Sequence, residues 1–122
     1  MTNLKNLNAL FDQFDALYTP QVITEVNDTQ VMLVKVLGDK VPWHTHDNED
    51  ELFLVYEGCI KVHLKGEVIS VNRGELFKVP KGTEHKITSA ELSLVLLLES
   101  KHFEHTGKVA SEITLNAFST LS

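Results

Sequence analysis

Residues 38–58 read GDKVPWHTHDNEDELFLVYEG, with two histidines and several carboxylates placed before a strand-like apolar segment. Because residues two apart in an extended chain face the same side, His44 and His46 can point to one centre. Glu51 heads a segment whose alternate residues are apolar, and a carboxylate on an apolar face costs free energy unless something pairs with it. A metal ion would pair with it, so this stretch predicts a metal site carried by strands.

A second window, residues 74–89, reads GELFKVPKGTEHKITS. Pro80 and Gly82 predict a tight turn that delivers His85 to the start of a strand. Three neutral imidazoles and one carboxylate suit Fe, Mn, Co, Ni, Cu or Zn, so we expect one divalent transition metal. On a metal that prefers six ligands, four protein donors leave two positions for water or substrate, which distinguishes a working site from a closed structural one.

Other candidate groups near these windows have alternative interpretations. Asp50 competes with Glu51 for the ligand role, but strand parity favours Glu51 because Asp50 would point away from the apolar face. His63 has outward parity and is expected at the surface. Cys59 is expected to be a small hydrophobic residue at a turn rather than a nucleophile. Trp43 either walls the pocket or caps the barrel, and we favour a place in the core.

The rest of the chain shows short strand-like segments with a turn about every 8–12 residues, which is typical of a sandwich or closed barrel. The predicted strands cover residues 22–26, 31–37, 51–57, 60–64, 68–71, 76–79, 85–88 and 92–98. Helical periodicity is confined to the N-terminus, so a parallel βαβ sheet is not expected. The polar tail holds His102 and His105, for which we expect no metal role. It also holds a weak strand-like segment, Glu112–Leu115, that either adds an edge strand or exchanges between subunits.

The N-terminal segment carries apolar residues at three- and four-residue steps, which predicts a helix over about residues 3–18. The stripe consists of Leu4, Leu7, Leu10, Phe11, Phe14 and Leu17. Pro20 ends the pattern, since the residue before a proline is disfavoured in a helix. We expect this helix to pack on the outside of the sheet, with a dimer contact as the alternative.

The chain of 122 residues has the length of one domain, so a single domain over residues 1–122 is expected. Its 17 acidic and 11 basic residues give a net charge of −6 without a basic stripe, so nucleic acid is not an expected partner. The longest apolar run, Leu94–Leu98, is far shorter than the roughly 20 residues that span a bilayer. The one cysteine and the acidic residues Asp12 and Asp15 within the N-terminal apolar stretch favour a cytoplasmic location.

The two windows resemble the two sequence motifs of the cupin family. The matching positions, at the family's spacings, are Gly38, His44, His46, Glu51 and Gly58, then Gly74, Pro80, Gly82 and His85. Ser89 stands where the family usually has asparagine, a position that is not usually a ligand. The resemblance spans about residues 31–98, with residues 100–122 as a C-terminal extension. It implies an antiparallel jelly roll (a double-stranded β-helix) of about six to eight strands.

The resemblance also implies one metal inside the mouth of the barrel, held by His44, His46, Glu51 and His85. Proteins that look like this one include sugar-phosphate isomerases, dioxygenases, decarboxylases and small-ligand sensor domains, and the fold alone cannot choose among them.

The inner face near the site is expected to be apolar and formed by Phe53, Val55, Phe77 and Ile87. Phosphorylated or carboxylated substrates usually need a cationic clamp. Arg73, the single arginine, lies in a predicted turn. The possible substitutes are Lys35, Lys61 and Lys78. Neither motif places a cationic side chain that could bind a phosphate group, and this makes a sugar-phosphate substrate less favoured.

The first hypothesis is therefore a metal-dependent enzyme, dioxygenase- or isomerase-like, that acts on a small organic molecule in the barrel. A non-catalytic binding or sensing module is the second hypothesis, and a purely structural barrel is the third. The sequence predicts no catalytic residue beyond the metal ligands. We also expect a homodimer formed through edge strands, with the apolar helix stripe and the tail as additional surface.

Overall fold

The computed structural model describes residues 3–101 and 118–121, and over these ranges the chain is mainly strand with one short N-terminal helix. The helix is α1 (Leu7–Phe11). The strands are β1 (Gln21–Val26), β2 (Thr29–Gly38), β3 (Glu51–Glu57), β4 (Cys59–Leu64), β5 (Glu67–Asn72), β6 (Leu76–Val79), β7 (His85–Ser100) and β8 (Ser119–Thr120). The observed bounds of β1 to β6 lie close to the predicted ones, and the prediction of an all-β fold is confirmed.

Two sheets share strand β7 and close into a barrel. In one sheet the strand order is β8-β1-β2-β7-β3-β6, and in the other it is β5-β4-β7. Neighbouring strands are antiparallel except β1 and β8, which run parallel. The antiparallel jelly roll that the resemblance implies is therefore present.

One strand replaces two predicted strands on the C-terminal side. Residues 85–88 of β7 pair with β4, whereas residues 93–100 pair with β2, so the chain leaves one sheet and enters the other within a single strand. Ala90, Glu91 and Leu92 at this crossing are exposed. The prediction of two separate strands was wrong because these residues interrupt the apolar alternation, as a turn would, while the backbone remains extended.

Alternate residues of the strands fill the barrel interior. In β3, Glu51, Phe53 and Val55 are buried, while the residues between them are partly exposed. In β4, Val62 is fully buried and His63 lies on the opposite face. The parity predictions for Glu51 and His63 are therefore both confirmed.

Helix α1 packs on the outside of the sheet, as predicted, through Leu10 and Phe11. These residues are buried and form an apolar cluster with Ile23 and Leu33. Burial of a large apolar side chain contributes about 1.5–3 kcal/mol relative to its exposure. This packing fixes a helix that would be too short to be stable by itself.

The helix is much shorter than the predicted range 3–18. It begins after Asn6, whose side chain caps the first turn, and it extends over five residues. Beyond the helix, Lys35 Nζ donates a hydrogen bond to the carbonyl of Phe14 at 2.5 Å, which fastens the non-helical chain to β2. Leu4 is 81% exposed and does not extend the buried stripe. The predicted length was wrong because contacts with the sheet override the local periodicity.

Among the described residues, no helix is long and apolar enough to span a bilayer. The C-terminal strand β8 lies beside β1 in the sheet. The predicted strand Glu112–Leu115 and the tail histidines His102 and His105 lie outside the described residues.

The connection between β3 and β4 is a single residue, Gly58, packed against β7. Its φ of +91° lies in the left-handed region, and a Cβ added there would lie 2.4 Å from Ser93 Oγ and 3.0 Å from Ser93 Cα. Ser93 Oγ accepts a hydrogen bond from the Cys59 N–H at 3.1 Å. Ser89 Oγ donates to the Cys59 carbonyl at 3.1 Å. Ser89 therefore secures this turn, and half-buried Cys59 directly follows it as the first residue of β4.

Replacement of this glycine is expected to destabilise the protein strongly. Gly58→Ala should lower the free energy of unfolding by about 3 kcal/mol, since left-handed strain contributes about 1–2 kcal/mol and overpacking about 1–3 kcal/mol. Urea unfolding followed by far-ultraviolet circular dichroism measures the loss.

The matched control is Gly66→Ala. Gly66 has a φ of +85°, but a Cβ there would meet no atom within 4 Å. The decrease in the free energy of unfolding of Gly66→Ala should therefore come from backbone strain alone, about 1–2 kcal/mol. Equal losses for the two variants would contradict a steric role for the contact between Gly58 and Ser93.

Candidate metal centre

Four buried side chains meet on the inner face of the barrel, and they are the four that the sequence predicts. They are His44, His46, Glu51 and His85. Their exposed fractions are 5%, 4%, 4% and 0%, in that order. One potential ligand atom from each lies within 4.8 Å of those of the other three. The group can therefore hold a metal ion.

A pair of backbone hydrogen bonds between His44 and His85 joins the two sequence windows. The N–H of each residue donates to the carbonyl of the other, both at 2.9 Å. Directly opposed residues of an antiparallel pair place their side chains on the same face. The two imidazoles accordingly lie side by side, with ring centroids 4.3 Å apart.

Two further hydrogen bonds connect the first window to the second. The Gly82 N–H donates to the His46 carbonyl at 2.8 Å, and the Lys81 N–H donates to Asp50 Oδ1 at 2.9 Å. Asp50 is exposed and fastens the two loops together. The inward position belongs to Glu51, as strand parity predicted.

The backbone orients two of the imidazoles through their Nδ1 atoms. His44 Nδ1 lies 2.7 Å from the Pro42 carbonyl, and His85 Nδ1 lies 2.9 Å from the Thr83 carbonyl. A carbonyl oxygen can only accept, so each Nδ1 carries a proton and donates it. This arrangement leaves Nε2 as the atom available to a metal, and a backbone partner of this kind is typical of metal-ligating histidines.

Glu51 contacts two of the three imidazoles. Its Oε1 lies 2.9 Å from His85 Nε2, and its Oε2 lies 3.4 Å from His46 Nε2. Burial favours the neutral acid, but the hydrogen bonds from His46 and His85 outweigh it and hold the pKa of Glu51 well below its usual range. Burial opposes a charge on His85, but the hydrogen bond to Glu51 and its charge outweigh this and raise the pKa of His85.

The donor set fits a divalent transition metal. Burial, followed by the charge of His85, lowers the pKa of His44 to about 4, so His44 is neutral at pH 7 and could serve as a ligand. In the metal-free protein Nε2 of His85 donates to Glu51, and metal binding requires that this proton be released. Three imidazole nitrogens and one carboxylate oxygen form a borderline donor set that suits Fe, Mn, Co, Ni, Cu or Zn.

An apolar cavity of about 50 Å³ adjoins the cluster. His44 and Glu51 form part of its wall, together with Phe53 and Ile87, two of the predicted inner residues. Tyr18 also lines it, and its hydroxyl donates to a carbonyl of β2. Sequence reasoning missed Tyr18 because it lies at the end of the predicted helix, outside both motifs.

Among the described residues, no lysine or arginine lines this cavity. Lys61 and Lys78 are exposed, and Lys35 is bonded to the N-terminal segment. Arg73 lies in a turn with its side chain 74% exposed, 3.8 Å from Glu57. In the described part of the chain, none of these four side chains is therefore part of the cavity wall.

Trp43 lies outside the core. It is 38% exposed, and the ammonium groups of Lys65 and Lys86 lie 5.6 and 6.0 Å from its ring. Its ring also meets the edge of His63, which is hydrogen-bonded to Thr88 at 2.8 Å. The core position favoured for Trp43 was wrong, because His44 faces inward and its chain neighbour must then face outward.

Glu99 is a buried acid that the sequence motifs do not mark. It lies on β7 with 1% of its surface exposed. Burial, followed by the negative charge of nearby Glu51, raises its pKa far above its ordinary value. In the sequence Glu99 directly follows the unbroken apolar run Leu94–Leu98, which does not assign it to a face, and in the structure it shares the buried face of β7 with Val95 and Leu97.

Comparisons with known proteins agree with this fold. A family model described as a cupin domain matches residues 30–98. The uncharacterized protein YdbB of Bacillus subtilis is 32% identical over 105 residues, which cover 85% of this chain and 92% of that protein.

Solved structures give the same result. A cupin-2 domain-containing protein from Shewanella frigidimarina has a TM-score of 0.78 and 37% identity, covering 80% of this chain and 94% of that one. Protein NMB1881 from Neisseria meningitidis has a TM-score of 0.73 and 29% identity, covering 80% of this chain and 99% of that one. The matched family model, the jelly-roll barrel and the two motifs together show that the chain belongs to the cupin family.

Proposed function

We propose that this cupin is a metal-dependent enzyme that holds one divalent transition metal and acts on a small, uncharged organic molecule. The metal ligands in this proposal are His44, His46, Glu51 and His85. The observation that supports it is that this buried cluster forms part of the wall of an apolar cavity. A structural barrel would have no need for four polar groups in that position, because buried polar groups are costly without a partner.

A bound metal would supply Lewis acidity at the wall of the cavity, suited to polarising a carbonyl or activating water. The protein supplies orientation and a dry environment. The carbonyls of Pro42 and Thr83 fix the two imidazoles, and the apolar side chains around the cavity exclude water. Four protein donors leave coordination positions free on a metal that prefers six ligands.

The lining of the cavity favours an uncharged substrate. Phe53, Ile87 and Leu97 present only carbon to the space, and the carboxylate of Glu51 in the cavity wall would repel an anion. Phosphate and carboxylate groups are normally bound by arginine or lysine. We therefore favour a dioxygenase-like reaction on a small neutral molecule over sugar-phosphate isomerisation.

We further propose that the protein is a cytoplasmic homodimer. Within residues 3–101 and 118–121, strands β5 and β6 form sheet edges, and each carries an exposed apolar residue, Val68 at 53% and Leu76 at 58%. Unpaired edges of this kind favour association between copies. Light scattering of the purified protein distinguishes the dimer from a single chain.

The ligand assignment predicts a selective loss of metal binding. Residues that hydrogen-bond to metal ligands typically contribute 10- to 100-fold to metal affinity. Removal of a ligand itself should therefore lower the metal affinity at least about 100-fold. Titration of His85→Ala with Co²⁺, followed by its visible absorption, measures this change. His63→Ala is the matched control, because His63 lies outward on the neighbouring strand and should leave the affinity unchanged. Equal Co²⁺ affinity in wild type and His85→Ala would refute the assignment.

The substrate assignment predicts a preference set by charge. Fe(II)-loaded protein should consume oxygen in the presence of a neutral diphenol or thiol and should not respond to the phosphate ester of the same diphenol. An oxygen electrode measures both rates, with His44→Ala as the inactive control. Tight binding of the neutral compounds without any oxygen uptake would contradict an oxidising enzyme and support a binding module instead.

A further inference from the structure

Tyr18, in the segment between α1 and β1, has an unusual backbone conformation. Its φ of +55° lies in the left-handed region, which residues with bulky side chains rarely adopt. Its N–H donates to the Lys35 carbonyl at 2.8 Å, and its hydroxyl donates to the Leu37 carbonyl. Both bonds reach β2, so the residue is held at its backbone and at the tip of its ring. Strained residues that are held in this way cluster at functional sites.

Tyr18 is part of the wall of the cavity that adjoins the cluster of proposed metal ligands. It is 7% exposed and packs in the barrel core with Val34 and Val36, which also line the cavity. Because its hydroxyl is directed to the Leu37 carbonyl, the ring is the part of Tyr18 that a bound molecule would meet. Pro20 lines the same cavity, so the segment before β1 contributes two residues to the wall.

The pairing of β7 shows how far Tyr18 lies from the cluster along the barrel. Beside Glu51, strand β3 pairs with β7 at Leu98. The β2 carbonyl that accepts the Tyr18 N–H belongs to the residue paired with Leu94. The two positions on β7 are separated by a rise of about 13 Å, since a strand rises about 3.3 Å per residue. Tyr18 and the cluster therefore line one cavity at different depths.

We propose that Tyr18 is a specificity-determining residue that limits the length of the substrate, an inference that rests on the function proposed above. A substrate held at the cluster by its polar atoms places its opposite, apolar end against the Tyr18 ring. The two hydrogen bonds to β2 keep the ring in place, so a longer molecule meets a fixed wall. The substrate class is thereby narrowed to neutral molecules with polar atoms at one end and a short apolar body.

Binding of two neutral diphenols of different length to Co²⁺-loaded protein tests this role. In 4-tert-butylcatechol an alkyl group lies on the side of the ring away from the hydroxyl groups, and catechol lacks this group. Wild type should bind catechol more tightly, because the alkyl group would overlap the Tyr18 ring. Tyr18→Ala should raise the affinity for 4-tert-butylcatechol relative to catechol at least about 10-fold, the effect of a single methylene in an apolar pocket. Isothermal titration calorimetry measures both dissociation constants.

Three further variants complete the experiment. Tyr18→Leu is a milder change that keeps an apolar side chain in the core, and it should shift the preference in the same direction as Tyr18→Ala. Tyr18→Phe keeps the ring and should keep the wild-type preference for catechol. Tyr56→Ala is the matched control, because Tyr56 stacks on Phe11 outside the barrel and does not line the cavity. It should lower the melting temperature and leave the preference unchanged.

A wild-type preference for catechol that persists in Tyr18→Ala and Tyr18→Leu would overturn the inference. Tighter binding of 4-tert-butylcatechol than of catechol by wild type would also overturn it. Loss of the preference in Tyr18→Phe or Tyr56→Ala would do the same, because the size of the ring at position 18 would then not set it. Failure of Co²⁺-loaded wild type to bind either diphenol would instead refute the proposed function itself, and this result is distinguishable from the others.

Discussion

The two backbone hydrogen bonds between His44 and His85 are the contact on which the geometry of the site depends. They join a loop and a strand that are distant in sequence, and they set two imidazoles side by side. Because main-chain atoms make the bonds, barrel closure itself positions these side chains. The hydrogen bond from Gly82 to the His46 carbonyl extends the same connection to the third imidazole.

The interior of the barrel is apolar, and the polar cluster is costly there without a metal. Glu51 is compensated by two imidazoles, but Glu99 adds a second acid that has no cationic partner among the described residues. A metal that binds only the folded chain stabilises it by mass action, which offsets this cost. We infer that the preformed polar cluster lowers the stability of the metal-free barrel, as is common at functional sites.

Local patterns predicted the residues of the cluster and most strand boundaries. Two-residue alternation decided between Asp50 and Glu51 because burial on one face of a strand is a local property. The length of α1 could not be predicted in the same way, since it depends on contacts with β2. Trp43 is a different case, because the parity that predicted Glu51 also applies to it. Alternation with the inward-facing His44 would have placed Trp43 at the surface. Glu99 follows an unbroken apolar run, so the sequence shows no alternation that could assign its face.

The central claim is that four residues hold one metal and leave coordination positions open. X-ray absorption at the cobalt edge of Co²⁺-loaded protein tests it most directly, because scattering from imidazole rings can be counted separately from single oxygen ligands. The predicted result is six nitrogen or oxygen ligands, of which three are imidazoles and two are exchangeable waters. A four-coordinate ion without water, or fewer than three imidazoles, would contradict an open metal centre at this site.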